Sequence, residues 1–438
     1  MALGGGTFTS MNKKLPGSYI NFISASAANS TLSDRGIAAM AFTLDWGKDD
    51  EVFTVNADDF QKNAQAIFGY DYSHPKMKGL RDLFLNIRTL YAYKLNSAGV
   101  KASNTFATAK YGGVRGNDLK IVIQRNVDET TKYDVMTYLG TVKVDTQTVT
   151  KASDLIDNDY VTFKTDATLA VTASTPLTNG TNGEDVTSAN HQSFLNKIES
   201  YSFNVIGVVS EDKPINQLYS QFAKRMRNEY GIKFQSVTWN NASDDESNIN
   251  VKNEIVIEEG FNKASAVYWT TGVQAGCEIN ESCQNTVYNG EFTIKTDYTQ
   301  TELEQAIDNG EFVFHKVAND IRVLDDINSL VTTTDEKGEI FKSNQTIRVI
   351  DNIGNDMATL FNTKYLGKIP NDASGRVSLW SDIVNIFNEL NTIRAIENFN
   401  SENVTVELGN TKKDVVVTVN EIEIVGVMGK LYMTNTIK

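Results

Sequence analysis

Apolar and polar positions alternate in two distinct rhythms along this chain, and the rhythm changes several times. Between residues 118 and 173, short runs at 118–124, 132–138, 140–149, 160–164 and 169–173 alternate with period two and are separated by turn-forming residues, while helical spacing is absent. That pattern predicts a small β-sandwich or barrel. Pro176-Leu177-Thr178-Asn179-Gly180-Thr181-Asn182-Gly183 reads as a loop by composition. On either side of this block the rhythm turns mixed. Leu80, Leu83, Phe84, Ile87, Leu90 and Tyr91 fall at helical spacing and predict an amphipathic helix over 80–96, stopped near Gly99. Ile215, Leu218, Phe222 and Met226 form a second stripe, between runs at 203–209, 232–239, 254–258 and 264–270 that read as strands. Thr301 followed by Glu304 has the spacing of a capping box. Strands alternating with helices imply an α/β layer with a largely parallel sheet.

The last part of the chain changes again. Ile353, Met357, Leu360 and Phe361 make one helical stripe, and Leu379, Ile383, Ile386, Phe387, Leu390 and Ile393 another, before strand-like runs at 414–420 and 421–428. Both ends are strand-like without an obvious partner: Ser18-Tyr19-Ile20-Asn21-Phe22 alternates, and residues 431–437 form an extended run. The expected fold class is α+β multidomain. It comprises an arm at 1–22, an α/β middle domain from 23–99 with 191–345, an inserted β-sandwich at 100–190, and a C-terminal α+β domain at 346–438 whose end, 430–438, is a second arm. Exposed strand edges are normally blunted. A chain with strand-forming arms at both ends is suited to pairing with neighbours by strand addition.

Composition narrows the chemistry. The 438 residues carry 41 Lys and Arg against 55 Asp and Glu, a formal net charge of −14, which argues against a general binder of phosphate backbones. No apolar run approaches the ~18 residues of a membrane-spanning helix, so membrane insertion is not expected. The polar, Gly-rich beginning lacks the order of a signal peptide, so synthesis in the cytoplasm is expected. Charge is unevenly spread. Lys213, Lys224, Arg225, Arg227 and Lys233 face only Glu229 over 213–233, a net of +4, whereas Asp244, Asp245, Glu246, Glu254, Glu258 and Glu259 face only Lys252 over 240–260, a net of −5. These read either as two solvated faces or as complementary patches between copies of the chain.

A search for catalytic chemistry finds little. Cys277 and Cys283 have no second Cys pair or intervening His to make a zinc site, and in a reducing compartment they are expected as buried or half-buried thiols. His74, His191 and His315 are far apart and suggest turn or surface roles. Gly112-Gly113-Val114-Arg115-Gly116 lacks the Lys-Ser/Thr of a phosphate loop. Asp154, Asp157 and Asp159, like Asp335, Glu336 and Glu339, lack the spacing of a calcium loop and read as acidic turns. No catalytic residue, cofactor-binding residue or metal ligand is singled out, and no cofactor is implied. A carboxylate-based hydrolase stays open as an alternative, because no pair among the many carboxylates stands out.

Several segments together resemble the tail-sheath subunits of contractile phage tails, in the branch of defective prophages and R-type bacteriocins of Gram-positive bacteria. They are Leu15-Pro16-Gly17-Ser18-Tyr19-Ile20-Asn21-Phe22, Ser33-Asp34-Arg35-Gly36-Ile37 with Trp46-Gly47, and the loop from Ala109 to Asn117. The series continues with the stretch from Val267 to Gly276, then Asn344-Gln345-Thr346-Ile347-Arg348-Val349-Ile350-Asp351, Gly367-Lys368-Ile369-Pro370-Asn371 and Lys430-Leu431-Tyr432-Met433-Thr434. Departures at Gly113, Cys277 and Glu278 touch loops only. The resemblance implies a non-enzymatic subunit that polymerises with itself as stacked hexameric rings around an inner tail tube protein. Baseplate and tail terminator proteins would be further partners, and nucleic acid would not. Such particles would assemble in the bacterial cytoplasm and be released outside the cell. Contraction from a metastable extended state would drive the tube through an envelope. By resemblance, Tyr19, Ile20 and Phe22 at one end and Leu431, Tyr432 and Met433 at the other belong to arms that add strands to neighbours. Lys224, Arg225, Arg227, Asp244, Asp245 and Glu246 are candidates for contacts between subunits. The alternatives are another structural tail or capsid subunit, or an α/β enzyme.

Overall fold

The computed structural model describes residues 32–437 apart from 410–412 and 414–415. In chain order the described elements begin with β1 (Ile37–Phe42), β2 (Val52–Asn56), α1 (Ala57–Phe68), α2 (Lys78–Phe84) and β3 (Thr89–Lys94). Six short strands follow: β4 (Ala107–Ala109), β5 (Leu119–Arg125), β6 (Tyr133–Leu139), β7 (Val142–Val149), β8 (Val161–Phe163) and β9 (Thr172–Pro176). Next come α3 (Ser188–Ile198), β10 (Val205–Gly207), α4 (Lys213–Arg225), β11 (Gln235–Trp239), β12 (Asn248–Val251), α5 (Ala266–Gly276), α6 (Gln300–Asp308), β13 (Glu311–Phe312), β14 (Phe314–Val317) and β15 (Asp320–Val323). The chain ends with α7 (Asn344–Leu360), α8 (Ala373–Thr392), β16 (Ile396–Glu397), β17 (Val404–Leu408), β18 (Val416–Asn420) and β19 (Glu423–Ile424). It divides into two compact units, residues 34–354 with 424–438, and residues 355–423 with the described part of 1–33.

The larger unit is built on a mixed seven-stranded sheet of order β13-β12-β11-β10-β1-β3-β2. Every neighbouring pair is parallel except β2 with β3. The period-two rule sorts its core. Ala38, Met40 and Phe42 of β1 join α1, α2 and α5 on one face, whereas Ala39 joins Phe194 of α3 and Phe222 of α4 on the other. The expected β-sandwich is present, as a four-stranded antiparallel sheet β7-β6-β5-β9 with the pair β4-β8. Its apolar core holds Leu119, Ile121, Ile123, Val135 and Phe163, and Trp46 reaches it from the loop after β1.

Four local expectations are corrected. Residues 80–96 are not one helix. The stripe ends with α2, and Leu90 and Tyr91 belong to β3, hydrogen-bonded to β1 on one side and β2 on the other. A strand buried inside a sheet is apolar on both faces, and its side chains mimic helical spacing over one turn. The run at 264–270 is the start of α5, not a strand. Its residues from Ala266 to Ala275 are buried except Tyr268, so the helix has no polar face to reveal its period. Gly272 and Gly276 lie against the backbone carbonyls of Leu83 and Asn86, where no side chain fits, and this lets α5 pack closely on α2. The capping box forms two residues before the expected frame. Glu302 N donates to Thr299 Oγ1 (3.3 Å) and Thr299 N donates to Glu302 Oε2 (2.7 Å). Around 254–258 there are only isolated bridges, Ile255 with Ile294 and Glu258 with Phe261.

In the smaller unit, α8 packs against β17, and Trp380 Nε1 donates to Val404 O (3.0 Å). The α8 stripe supplies its core, with Leu379, Ile383, Ile386, Phe387 and Leu390 buried. Asp372 caps this helix by accepting from Gly375 N (2.8 Å). β17 was not legible in the sequence; only its partner run was.

Candidate assembly interface

Several of the sequence motifs make contacts inside the chain. Arg35 donates from Nε to Cys277 O (2.7 Å) and from Nη2 to Gln274 O (2.9 Å), closing the C-terminal end of α5. Burial, followed by the nearby Arg348, brings its pKa down to about 9. The loop from Ala109 to Asn117 joins the sandwich to the sheet. Gly113 adopts φ +142° against Asp45 O, a position closed to any side chain. Asn117 and Gly180 exchange a pair of hydrogen bonds (2.8 Å each) across the same joint.

The polar residues of the 344–351 signature lie at helical spacing on α7 and turn inward. Arg348 is buried, 3.5 Å from Asp326, and also donates to Glu281 O (2.7 Å) and Gln274 Oε1 (2.8 Å). Asp326 further accepts from Gln274 (2.7 Å), Cys283 N (2.9 Å) and Asn344 (3.0 Å). Burial alone would raise the Asp326 pKa, but Arg348 and these donors hold it below the ordinary carboxylate range. Cys277 is half-buried and Cys283 buried, both as free thiols.

The six candidate patch charges all have partners within the chain. Arg227 is buried and bidentate to Asp351 (2.5 and 2.6 Å). Lys224 meets buried Asp245 (2.9 Å), and Arg225 meets Glu199 (3.2 Å). Asp244 accepts from Val331 N (2.7 Å) and Thr332 N (2.8 Å), and buried Glu246 pairs with Lys337 (2.5 Å). Burial pushes the Asp245 pKa up, but the Ser247 hydroxyl and Lys224 outweigh it and hold the carboxyl below its usual range. Lys224 and Asp244 remain exposed and Arg225 half-exposed, so these three present charge to solvent. Sequence distance hid the partners Asp351, Glu199 and Lys337.

The ends differ in kind. Tyr19, Ile20 and Phe22 lie outside the described residues. The described chain begins at Leu32, whose N–H donates to Glu389 Oε2 on α8 (3.0 Å), and Ser33 N donates to Asp356 Oδ2 on α7 (3.3 Å). At the other end, Val425 O accepts from Gln345 Nε2 (3.2 Å), and from there to residue 437 the chain is neither helix nor strand. Leu431, Tyr432 and Met433 are 85%, 88% and 71% exposed. Nearby in sequence, β17 and β18 pair antiparallel from Val404↔Asn420 to Leu408↔Val416, and among the described residues this ladder has two strands only. Among the described residues no third strand lies along either edge of it.

The described residues thus comprise several folded domains, a two-stranded ladder and an exposed apolar tail, and no catalytic constellation stands out among them. Domain profiles of phage tail sheath proteins match the chain in order. The domain III N-terminal region of tail sheath protein Gp18 matches residues 35–95, and the tail sheath β-sandwich domain residues 97–182. The tail sheath central domain matches residues 184–329, and the tail sheath C-terminal domain residues 336–438. The chain is 34% identical to protein XkdK of the phage-like element PBSX of Bacillus subtilis over 387 residues, 81% of each chain. The crystal structure of the sheath tail protein of Desulfitobacterium hafniense superposes with a TM-score of 0.77 at 34% identity, covering 93% of this chain and 100% of that one. The helical sheath protein of the anti-feeding prophage in its contracted state shares the fold at 11% identity, with a TM-score of 0.55 over 97% of this chain and 99% of that one. The chain belongs to the phage tail sheath family. It is a contractile tail sheath subunit, a structural and non-enzymatic component of a phage or phage-like tail particle.

Proposed function

We propose that the chain polymerises as hexameric rings stacked helically around an inner tube, and that its two ends complete the β17–β18 ladders of adjoining copies. The observation that carries this reading is the presence, among the described residues, of a ladder with two strands only and of an exposed tail with no strand partner. A two-stranded ladder is marginal alone, and each main-chain hydrogen bond from an added strand contributes about 0.5–1.5 kcal/mol net. Tyr19, Ile20 and Phe22 on one arm and Leu431, Tyr432 and Met433 on the other supply apolar anchors. In this reading the chain divides at 1–22, 23–99 with 191–345, 100–190 and 346–438. The sandwich faces outward and the C-terminal domain faces the tube protein, with baseplate and terminator proteins closing the ends. The particle assembles in the bacterial cytoplasm and is released from the cell.

Contraction then needs no nucleotide. Arms keep subunits tied while the bodies rotate, and the extended lattice is a kinetic trap released from the baseplate end. Lys224, Arg225 and Asp244 are the patch charges placed to make contacts specific to one state; Arg227, Asp245 and Glu246 act within the subunit. A high-resolution map of the assembled polymer tests the reading. Arms crossing to neighbouring ladders support it, and both ends folded onto their own subunit overturn it.

A further inference from the structure

The two cysteines converge on the C-terminal end of α5. Val273 O, in the last turn of that helix, accepts from Cys277 N (2.9 Å) and from Cys283 Sγ (3.7 Å), so both residues are tied to one carbonyl. Their thiols lie within hydrogen-bonding reach of each other. Two guanidinium groups flank the pair: Arg348 Nη2 is 3.9 Å from Cys283 Sγ, and Arg35 Nε donates to Cys277 O. We propose that Cys277 and Cys283 are a reversible redox site, at which a small-molecule disulfide converts the two thiols into an intramolecular disulfide that braces the 278–283 loop.

The asymmetry of the pair assigns the roles. Cys277 is half-buried, whereas Cys283 is buried. The contact with Cys283, together with Arg348 and Arg35, outweighs burial and holds the Cys277 pKa below the ordinary thiol value. The same contact, with burial and Asp326, pushes the Cys283 pKa up. Cys277 is therefore the attacking sulfur and Cys283 the resolving one. The Cys277 thiolate bonds to one sulfur of the small disulfide, whose other half leaves as a thiolate. Cys283 then loses its proton, its sulfur bonds to that of Cys277, and the second half leaves. The protons of the two cysteines end on the two departing thiolates, so two protein thiols are oxidised while one small disulfide is reduced to two thiols. The braced loop is the one that grips the first turns of α7. Glu281 O accepts from Arg348 Nη1 (2.7 Å), Asn280 O accepts from Gln345 Nε2 (3.2 Å), and Cys283 N donates to Asp326 Oδ2 (2.9 Å). A bond between Cys277 and Cys283 fixes the frame that carries all three contacts.

The full-length, unassembled subunit, reduced and then held in oxidised glutathione, tests the proposal. Mass spectrometry of the non-reduced digest should show the peptide carrying both cysteines lighter by two hydrogens, and dithiothreitol should restore its mass. Amide exchange over residues 278–283 should slow on oxidation, and the oxidised subunit should melt no lower than the reduced one. Cysteines that stay reduced in the folded chain, a disulfide found only between copies, or a lower melting temperature after oxidation would each overturn the proposal. Cys283→Ala should stop at the mixed disulfide, gaining one glutathione at Cys277 at least about tenfold faster than Cys277→Ala gains one at Cys283. Equal rates would overturn the assignment of Cys277 as the attacking sulfur. The bridge itself is read in the parent chain, so a variant that fails to fold leaves the test intact.

Discussion

Arg227 and Asp351, 124 positions apart, meet as a bidentate ion pair with both side chains buried. The first follows α4 and the second lies on α7. Burial works against the Arg227 charge, and Asp351 more than offsets that. With Arg348 and Asp326, the pair holds the first turns of α7 to the larger unit, just before the division at Gly354.

Breaking this pair from one side leaves an uncompensated buried charge. Arg227→Ala or Asp351→Ala should cost about 3–5 kcal/mol, whereas the double replacement Arg227→Met with Asp351→Leu should be close to neutral. Urea unfolding of the unassembled subunit measures both. A single variant as stable as the parent would show that the pair does not hold α7.

The α2–α5 contact depends on absent side chains. A methyl at Gly272 would sit 2.5 Å from Leu83 O, and one at Gly276 would collide with Asn86 O. Gly276→Ala should destabilise by about 1–3 kcal/mol, the usual cost of overpacking. Gly338→Ala, which meets nothing nearby, is the control. Equal melting temperatures for the two would contradict the close packing.

His191 predicts an acid limb. Its Nδ1 lies 3.0 Å from the Tyr219 hydroxyl, and burial, opposed weakly by Asp212, brings its pKa down to about 4. An unfolded chain binds that proton near pH 6.5, so between about pH 6.5 and 4 the unfolded state holds more protons. Stability therefore falls as pH drops through this window, by up to roughly 3 kcal/mol, and this contribution levels off below it. His191→Gln should flatten that slope in urea titrations taken across the window. An unchanged slope would assign it to other groups.

The exposed tail separates folding from assembly. Leu431→Asp and Tyr432→Asp alter side chains with little burial to lose, so subunit stability should stay within about 0.5 kcal/mol. Sedimentation and negative-stain microscopy should show loss of long striated tubes. Tubes of normal length would remove these residues from the interface.

Where a segment has one wet face, its period was readable. The sandwich strands, α4 and α8 each lie within a few residues of their expected places because polar and apolar positions alternate with the element's own period. Where burial is all round, as in α5, the period vanishes, and in β3, inside the sheet, the apolar spacing mimics a helix. The patch charges show the same limit. Lys224, Arg225 and Arg227 read as one basic surface, yet each has a different partner, and one of them lies in the interior.

The order of residues by itself determined the domain types, the lack of a recognisable catalytic motif, the alternating and apolar runs near the two ends and, through short motifs in sequence, the family. Tertiary structure alone decided which charges are internal, which glycines mark close contacts, and that the β17–β18 ladder has two strands among the described residues. The reason is physical. Periodicity reports only the boundary between protein and water, whereas buried partners are chosen by proximity in space, and that proximity exists only once distant segments have packed together.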